Sequence, residues 1–237
     1  GASLDRLPGR FLNIHVFGAH VALTQSSIGE AERSLSDAVD GSISEAHAGR
    51  ERYLRTGTHL VGLPSRPLPE PGATRIMLSR GFFQHFTNLE QHSRFVEGRM
   101  AGSAAAGPAG ADMEAVISTA TAKKLSLNVD DLLSLTPSIG NPTTLSVRIV
   151  GIMEAANPEE EYWSSAGLFL DPGPLTEAPQ VGVRVRPGEA PVALFVTEEA
   201  IVDVVGRAYV GTLIKPIWFM AIDKEAVREW SFADTRV

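Results

Sequence analysis

The hexapeptide VRIVGI (Val147–Ile152) is apolar at both odd and even positions, broken only by Arg148. A β-strand turns successive side chains to opposite faces, so a strand of this composition has to be covered on both. It runs at once into MEAANPEEEYW, an acidic loop closed by two aromatic residues. The rest of the chain must therefore supply apolar elements above and below this strand. At 237 residues, 43% hydrophobic and 21% charged, it has the material for a substantial core.

Those elements can be read along the chain. Residues 11–24, FLNIHVFGAHVALT, have the both-faced apolar pattern of a covered strand. From Ser26 the period changes: Ile28, Ala31, Leu35, Ala38, Val39 and Ile43 share one helical face, and Ser27 with Glu30 has the spacing of a capping box. A second extended stretch spans 50–63 and ends at the Pro- and Gly-rich SRPLPEPGA, so the opening reads β-α-β. A strand over 74–83 and a mixed segment to Met100 lead into GRMAGSAAAGPAGAD, whose small residues cannot pack and predict a flexible surface loop. MEAVI then predicts a strand, STATAKKLSL a short helix starting at Ser118 or Thr119, and VDDLLSL and LSVRIVGI two strands around the turn PSIGNP. After DPGPLTEAP come VGVRVRP, a half-exposed strand pattern, then VALFV, a helix from Thr197 with Glu198 and Glu199 in its first turn, and the strand IKPIWFMAI. Many short strands with few helices, and no regular βαβα series, predict an α+β fold.

Charge narrows the range of partners. The formal net charge is -7 and the basic residues are scattered, whereas phosphate backbones need clustered Lys and Arg; nucleic acid is not an expected partner. The absence of cysteine removes disulfides, thiol nucleophiles and thiolate metal sites together. No apolar run approaches the roughly 20 residues of a membrane span, and GASLDRLPGR has neither the charged start nor the apolar stretch of a signal peptide. The chain begins without Met, so the expectation is an excised or processed segment of a longer protein, about whose membrane helices their absence here says nothing.

Motifs for catalysis are missing. His15 and His20 are five apart in one predicted strand and point to opposite faces; His85 and His92 are seven apart, not the i, i+4 of a zinc-binding helix. A structural or surface role is expected for all four. Neither GxSxG nor SxxK occurs, and the Gly-rich loop at 98–112 has no phosphate-binding form, so no catalytic residue, cofactor or metal is assigned. Glu159, Glu160 and Glu161 form a carboxylate cluster without the alternation of a calcium loop, and Asp130 and Asp131 are expected to make a turn. For Tyr162 and Trp163 two readings stay open: a packed lid on the end of the sheet, or an edge that contacts a partner. Glu159, Glu160, Glu161, Tyr162 and Trp163 are the candidate partner-contact residues.

Two segments, in order, carry a resemblance. AVISTATAKKLSLNVDDLLSL followed by LSVRIVGIMEAANPEEEYW, within Glu114–Trp163, and upstream EQHSRFVEGRM, resemble the extracytoplasmic domain of FtsX-like ABC transporter permeases, the MacB-type periplasmic core domain. Together they cover about a third of the chain. Ser126 stands where that family often has Gly, and Asp130 stands at the usual Gly of its Gly-Asp turn, so a residue less tolerant of positive φ has to make the turn.

The resemblance implies two lobes: a β-α-β-containing, porter-like lobe built from both chain ends (1–80 plus 201–237), and a mostly β lobe inserted into it (81–200). It also implies a non-catalytic domain on the extracytoplasmic face of a bacterial membrane, joined to the transmembrane helices of the same parent chain. Through them it would couple to a cytoplasmic ABC ATPase and act on a substrate or partner protein outside the cytoplasm. The alternative from another class is an exported hydrolase or a stand-alone binding module with a site assembled in space.

Overall fold

The strand Leu145–Ala155 is covered on both faces, and a closed barrel is what covers it. A computed structural model of the chain describes residues 14–17, 24–43, 47–64, 79–102, 111–137, 143–163 and 191–222. In chain order the elements are β1 (Ile14–Phe17), α1 (Gln25–Ile43), β2 (His47–Thr56), β3 (His59–Gly62), β4 (Ser79–Phe86), α2 (Leu89–His92), β5 (Ser93–Gly98), β6 (Met113–Ser118), α3 (Thr119–Leu125), β7 (Leu132–Pro137), β8 (Leu145–Ala155), a 3-10 turn (Glu161–Trp163), β9 (Val192–Phe195), a π-helical turn (Ala200–Val205) running into α4 (Gly206–Ala208), and β10 (Ile214–Ile222). The predicted segments 1–13, 65–78, 103–110 and 164–190, including VGVRVRP and most of the small-residue loop, lie outside the described residues.

Six strands close the barrel in the order β4-β3-β7-β8-β6-β9 and back to β4. The β8–β6 and β9–β4 pairs are parallel, and the other four are antiparallel. Four further strands extend it. β5 pairs with β8, while β2 leaves the barrel beside β4 and carries β10 and then β1. The fold is thus α+β, mostly strands with few helices.

Alternation along the strands explains the two cores. Odd-numbered residues Met113, Ala115, Ile117, Leu133, Leu135, Leu145, Val147 and Ile149 enter the barrel interior, where Ile201, Val205 and Tyr209 from the following helix join them. Val116 and Val150, and in β9 the odd-numbered Ala193 and Phe195, face outward into a second cluster with Tyr53, Phe82, Phe86, Tyr162 and Trp163. Both parities of VRIVGI and of VALF are buried for this reason. The barrel takes strands from both sides of residue 80, since β3 closes it beside β4.

The helix ends show where local sequence signals hold and where they slip. Ser118 caps α3, its Oγ accepting from the Thr121 N–H at 3.1 Å. α1 starts one step earlier than Ser26, and its reciprocal box uses Thr24 and Ser27 instead of Ser27 and Glu30. The Thr24 N–H donates to Ser27 Oγ at 2.9 Å and the Ser27 N–H to Thr24 Oγ1 at 3.2 Å. A serine can close the box because its hydroxyl, like a Glu carboxylate, accepts from the cap N–H.

Candidate functional site

The two family-like segments meet where β5 ends against β8. Gly98 has φ 74, and a Cβ there would collide with the Val150 carbonyl; a Cβ on Gly151 would collide with the Arg99 carbonyl. Only glycine at both positions lets the two backbones approach this closely. The Arg99 N–H then donates to the Val150 carbonyl at 2.9 Å. An open cleft of about 740 Å³ lies at this crossing, lined by Gly98, Arg99, Glu114, Val129, Asp130, Arg148 and Val150.

Its charges are arranged by the strands beneath them. Glu114 is the one carboxylate in the apolar strand β6 and is 5% exposed. It accepts from Arg99 Nη1 at 2.8 Å and Nη2 at 2.6 Å, and from the Gly102 N–H at 2.8 Å. Those Arg99 hydrogen bonds, with the Gly102 N–H adding to them, outweigh burial and hold the Glu114 carboxyl below the usual carboxylate range. Arg148, the residue that interrupts VRIVGI, reaches the Asp130 carbonyl at 3.5 Å and its carboxylate at 3.8 Å. Asp130 makes its turn in the left-handed region, φ 72, and Ser126 ends α3 there at φ 55. Both non-glycine residues are therefore accommodated with left-handed backbone. Two cations facing two carboxylates leave the cleft charge-balanced.

The acidic-aromatic loop is organised differently. Tyr162 and Trp163 are 5% and 2% exposed and pack against Tyr53, Phe86 and Phe195. Tyr162 Oη donates to the Thr87 carbonyl at 2.7 Å, and Tyr53 Oη donates to the Tyr162 carbonyl at 3.2 Å. The two rings are thus core residues of a packed lid, because the outward face of the barrel strands needs an apolar cover. Glu159 is exposed, and its N–H turns back to Asn157 Oδ1 at 3.2 Å. Glu160 Oε1 lies 2.9 Å from His92 Nδ1, whose ring stacks on Tyr162 with centroids 3.7 Å apart. Glu161 opens the 3-10 turn, and its side chain lies outside the described residues. Of the candidate contact residues whose side chains are described, Glu159 and Glu160 thus form a rim and Tyr162 and Trp163 a buried plug.

The histidines also separate. His85 sits in β4 and His92 ends α2, so they share no helical face. His59, which sequence reading passed over, is 1% exposed inside the barrel wall. Its Nε2 lies 3.1 Å from Thr56 Oγ1, and its ring is wedged between Phe83 and Tyr209. Among the described residues no group of three or more His, Asp or Glu side chains is placed to hold a metal ion. A second charged cluster joins Glu32, Arg52, His85 and Glu198 across α1, β2, β4 and the turn after β9. Neither charged cluster was assigned from sequence. The available signals were single charges inside apolar strands, Glu114 in MEAVI and Arg148 in VRIVGI, because a charge in a covered strand must meet a partner. Compared with known proteins, the chain matches no family model and no curated relative.

Proposed function

We propose that the chain is a non-catalytic extracytoplasmic domain of an ABC transporter permease, passing movement of membrane helices to a substrate or partner protein outside the cytoplasm. The observation that carries this reading is the pairing of the first and last described strands. β1 and β10 are antiparallel, with Ile14 opposite Met220 and Phe17 opposite Ile217, so the chain enters and leaves at one end of one strand pair. A domain suspended between two membrane helices needs this arrangement, since both attachment points must face the same membrane. In this reading β1, α1, β2 and β10 form the porter-like lobe and the barrel forms the inserted lobe, with β3 (His59–Gly62) and the helical segment from Ile201 to Tyr209 given to the barrel by the parts 1–80 and 201–237 that the resemblance assigns to the porter-like lobe.

The ladders supply a route for force. A pull along β10 loads its hydrogen bonds to β2 together, from Ile214↔Thr56 through Ala221↔Gly49. β2 is followed by β3 after only Gly57 and Thr58, and β3 is a stave of the barrel. Displacement at the chain ends thus reaches a closed, densely packed body that moves as a unit. The convergence of both family-like segments on the Gly98/Gly151 crossing supports the same reading.

The test is the gene sequence on either side of residues 1 and 237. Apolar spans of about 20 residues on both sides, with co-purification of an ABC ATPase with the parent protein, are the expected result. Polar flanks on either side overturn the reading and direct attention to the hydrolase or binding-module class.

A further inference from the structure

The cleft beside Gly98 is open, and its cations already face Glu114 and Asp130; a second, largely buried charged cluster gathers around Arg52 in β2, beside β4. Arg52 of β2 is 12% exposed at its side chain and stands between two carboxylates. Its Nη1 is 2.8 Å from Glu32 Oε1 on α1, and its Nη2 donates to Glu198 Oε2 at the turn after β9. His85 of β4 completes the group, with Nε2 3.9 Å from that same Glu198 Oε2. The His85 and Glu198 side chains are 17% and 14% exposed. Glu199, exposed beside Glu198, is the remaining charged group that acts on both.

The chemistry of the imidazole settles what faces what. His85 Nδ1 lies 3.2 Å from the Val196 carbonyl, which can only accept, so Nδ1 carries the ring hydrogen. In the neutral ring Nε2 therefore turns a lone pair toward a carboxylate oxygen. Two acceptors at this distance repel weakly when neutral and anionic, and a single proton between them converts the contact into a charge-assisted hydrogen bond of about 2.8 Å. Counting Glu32, Arg52 and Glu198, the cluster holds one more negative than positive charge at neutral pH, and one proton balances it.

We propose that this cluster is a proton-operated tether between the α1–β2 layer and the barrel: a proton taken from solvent between His85 Nε2 and Glu198 Oε2 draws that oxygen away from Arg52 and leaves Arg52 bound to Glu32 alone. The competition is for one atom, because Arg52 Nη2 and His85 Nε2 address the same Oε2. The proton belongs to the pair, whichever of the two holds it, so the Arg52–Glu198 attraction weakens in either case. Burial pushes Glu198 up from the usual carboxylate range and pushes His85 down from the usual imidazole range, which brings the two titrations toward each other. β4 and the turn after β9 carry the proton-bound pair, so acid makes it a bond within the barrel wall and removes one contact that holds the α1–β2 layer, leaving the β2–β4 ladder in place. This inference stands on the cluster's geometry and goes beyond the membrane-coupling reading.

Two measurements on the full chain test it, hydrogen exchange of α1 and the ring nitrogen shifts of His85, each at pH 8 and at pH 5. Corrected for intrinsic rates, α1 amides should exchange about tenfold faster at pH 5, the change that one pK unit of altered interaction produces. Glu198→Gln keeps the shape, cannot be drawn by a proton, and should exchange at the same fast rate at both pH values. Its His85 should also titrate lower, because the carboxylate that attracts the imidazolium is gone while Arg52 still repels it. Equal α1 protection at both pH values in the unsubstituted chain overturns the tether, as does an unmoved His85 titration in Glu198→Gln. The second readout needs only a folded variant, so loss of α1 docking does not obscure it.

Discussion

Ser126 and Asp130 carry left-handed backbone that glycine would carry at lower cost. Ser126 ends α3 with its N–H bonded back to the Ala122 carbonyl, the geometry in which a Cβ crowds the neighbouring carbonyl. Asp130 has a reason to be there. Its N–H donates to the Ile149 carbonyl at 2.8 Å, and its carboxylate faces Arg148. Ser126 makes no comparable side-chain contact in the cap, so Ser126→Gly should stabilise the protein by about 1 kcal/mol. For a chain of this size that is a rise in Tm of about 2–4 °C. Thermal unfolding followed by circular dichroism checks it, and an unchanged or lower Tm would show that the strain is relieved elsewhere.

At the scale of elements, α1 is held by its cap and by a narrow buried stripe. Ile28 is 2% exposed and joins the barrel-side cluster, while Ala31 and Leu35 are half-buried and Glu30, Arg33 and Ser34 are exposed. With Ile28 the one buried side chain among the described residues of α1, the capped end of the helix matters more than usual. Thr24→Ala removes the acceptor for the Ser27 N–H and should cost about 1 kcal/mol, whereas Glu30→Gln should change stability by less than about 0.5 kcal/mol. Hydrogen exchange over residues 25–31 distinguishes them: about fivefold faster in Thr24→Ala and unchanged in Glu30→Gln. β5 shows a different element-scale device. Among the described residues it pairs with β8 alone, but Arg94, Glu97 and an irregular register between Phe95 and Glu97 guard its outer edge against pairing with another chain.

For the whole molecule, His59 links pH to global stability. Thr56 Oγ1 donates to the Gly57 carbonyl at 2.8 Å, so it accepts from His59 Nε2, and His59 Nδ1 is left buried without a partner among the described residues. Burial lowers the His59 pKa from 6.5 to about 4. The unfolded chain therefore takes up a proton near pH 6.5 that the folded chain refuses until about pH 4. The stabilising contribution is complete above pH 6.5 and is lost as pH falls toward 4. Between pH 7 and pH 5 this group alone should remove about 2 kcal/mol from the unfolding free energy. Urea unfolding of the unsubstituted protein and of His59→Gln, which keeps a donor for Thr56, isolates the effect. A pH slope of equal size in both would assign the acid sensitivity to other groups.

Alternation in VRIVGI and VALFV, the caps of the short helices and the α+β class were legible because they depend on neighbours two to four residues apart. Ser118 is an example: its capping role needs only Thr121, and the sequence shows both. The Ser27–Glu30 box missed by three residues because serine and glutamate both accept from a cap N–H, and only the backbone path decides which pair is in register. The sequence by itself determined that VRIVGI must be covered on both faces. Barrel closure decided what covers it, since β4 meets β9 across a separation of more than a hundred residues and no local pattern encodes that parallel pair. The same closure set Arg99 against Glu114, joined Arg52 to Glu32 and Glu198, and turned Tyr162 and Trp163 inward. Charges and aromatic rings acquire their partners only when distant strands are brought side by side, because burial and hydrogen bonding are properties of surroundings and not of the residue.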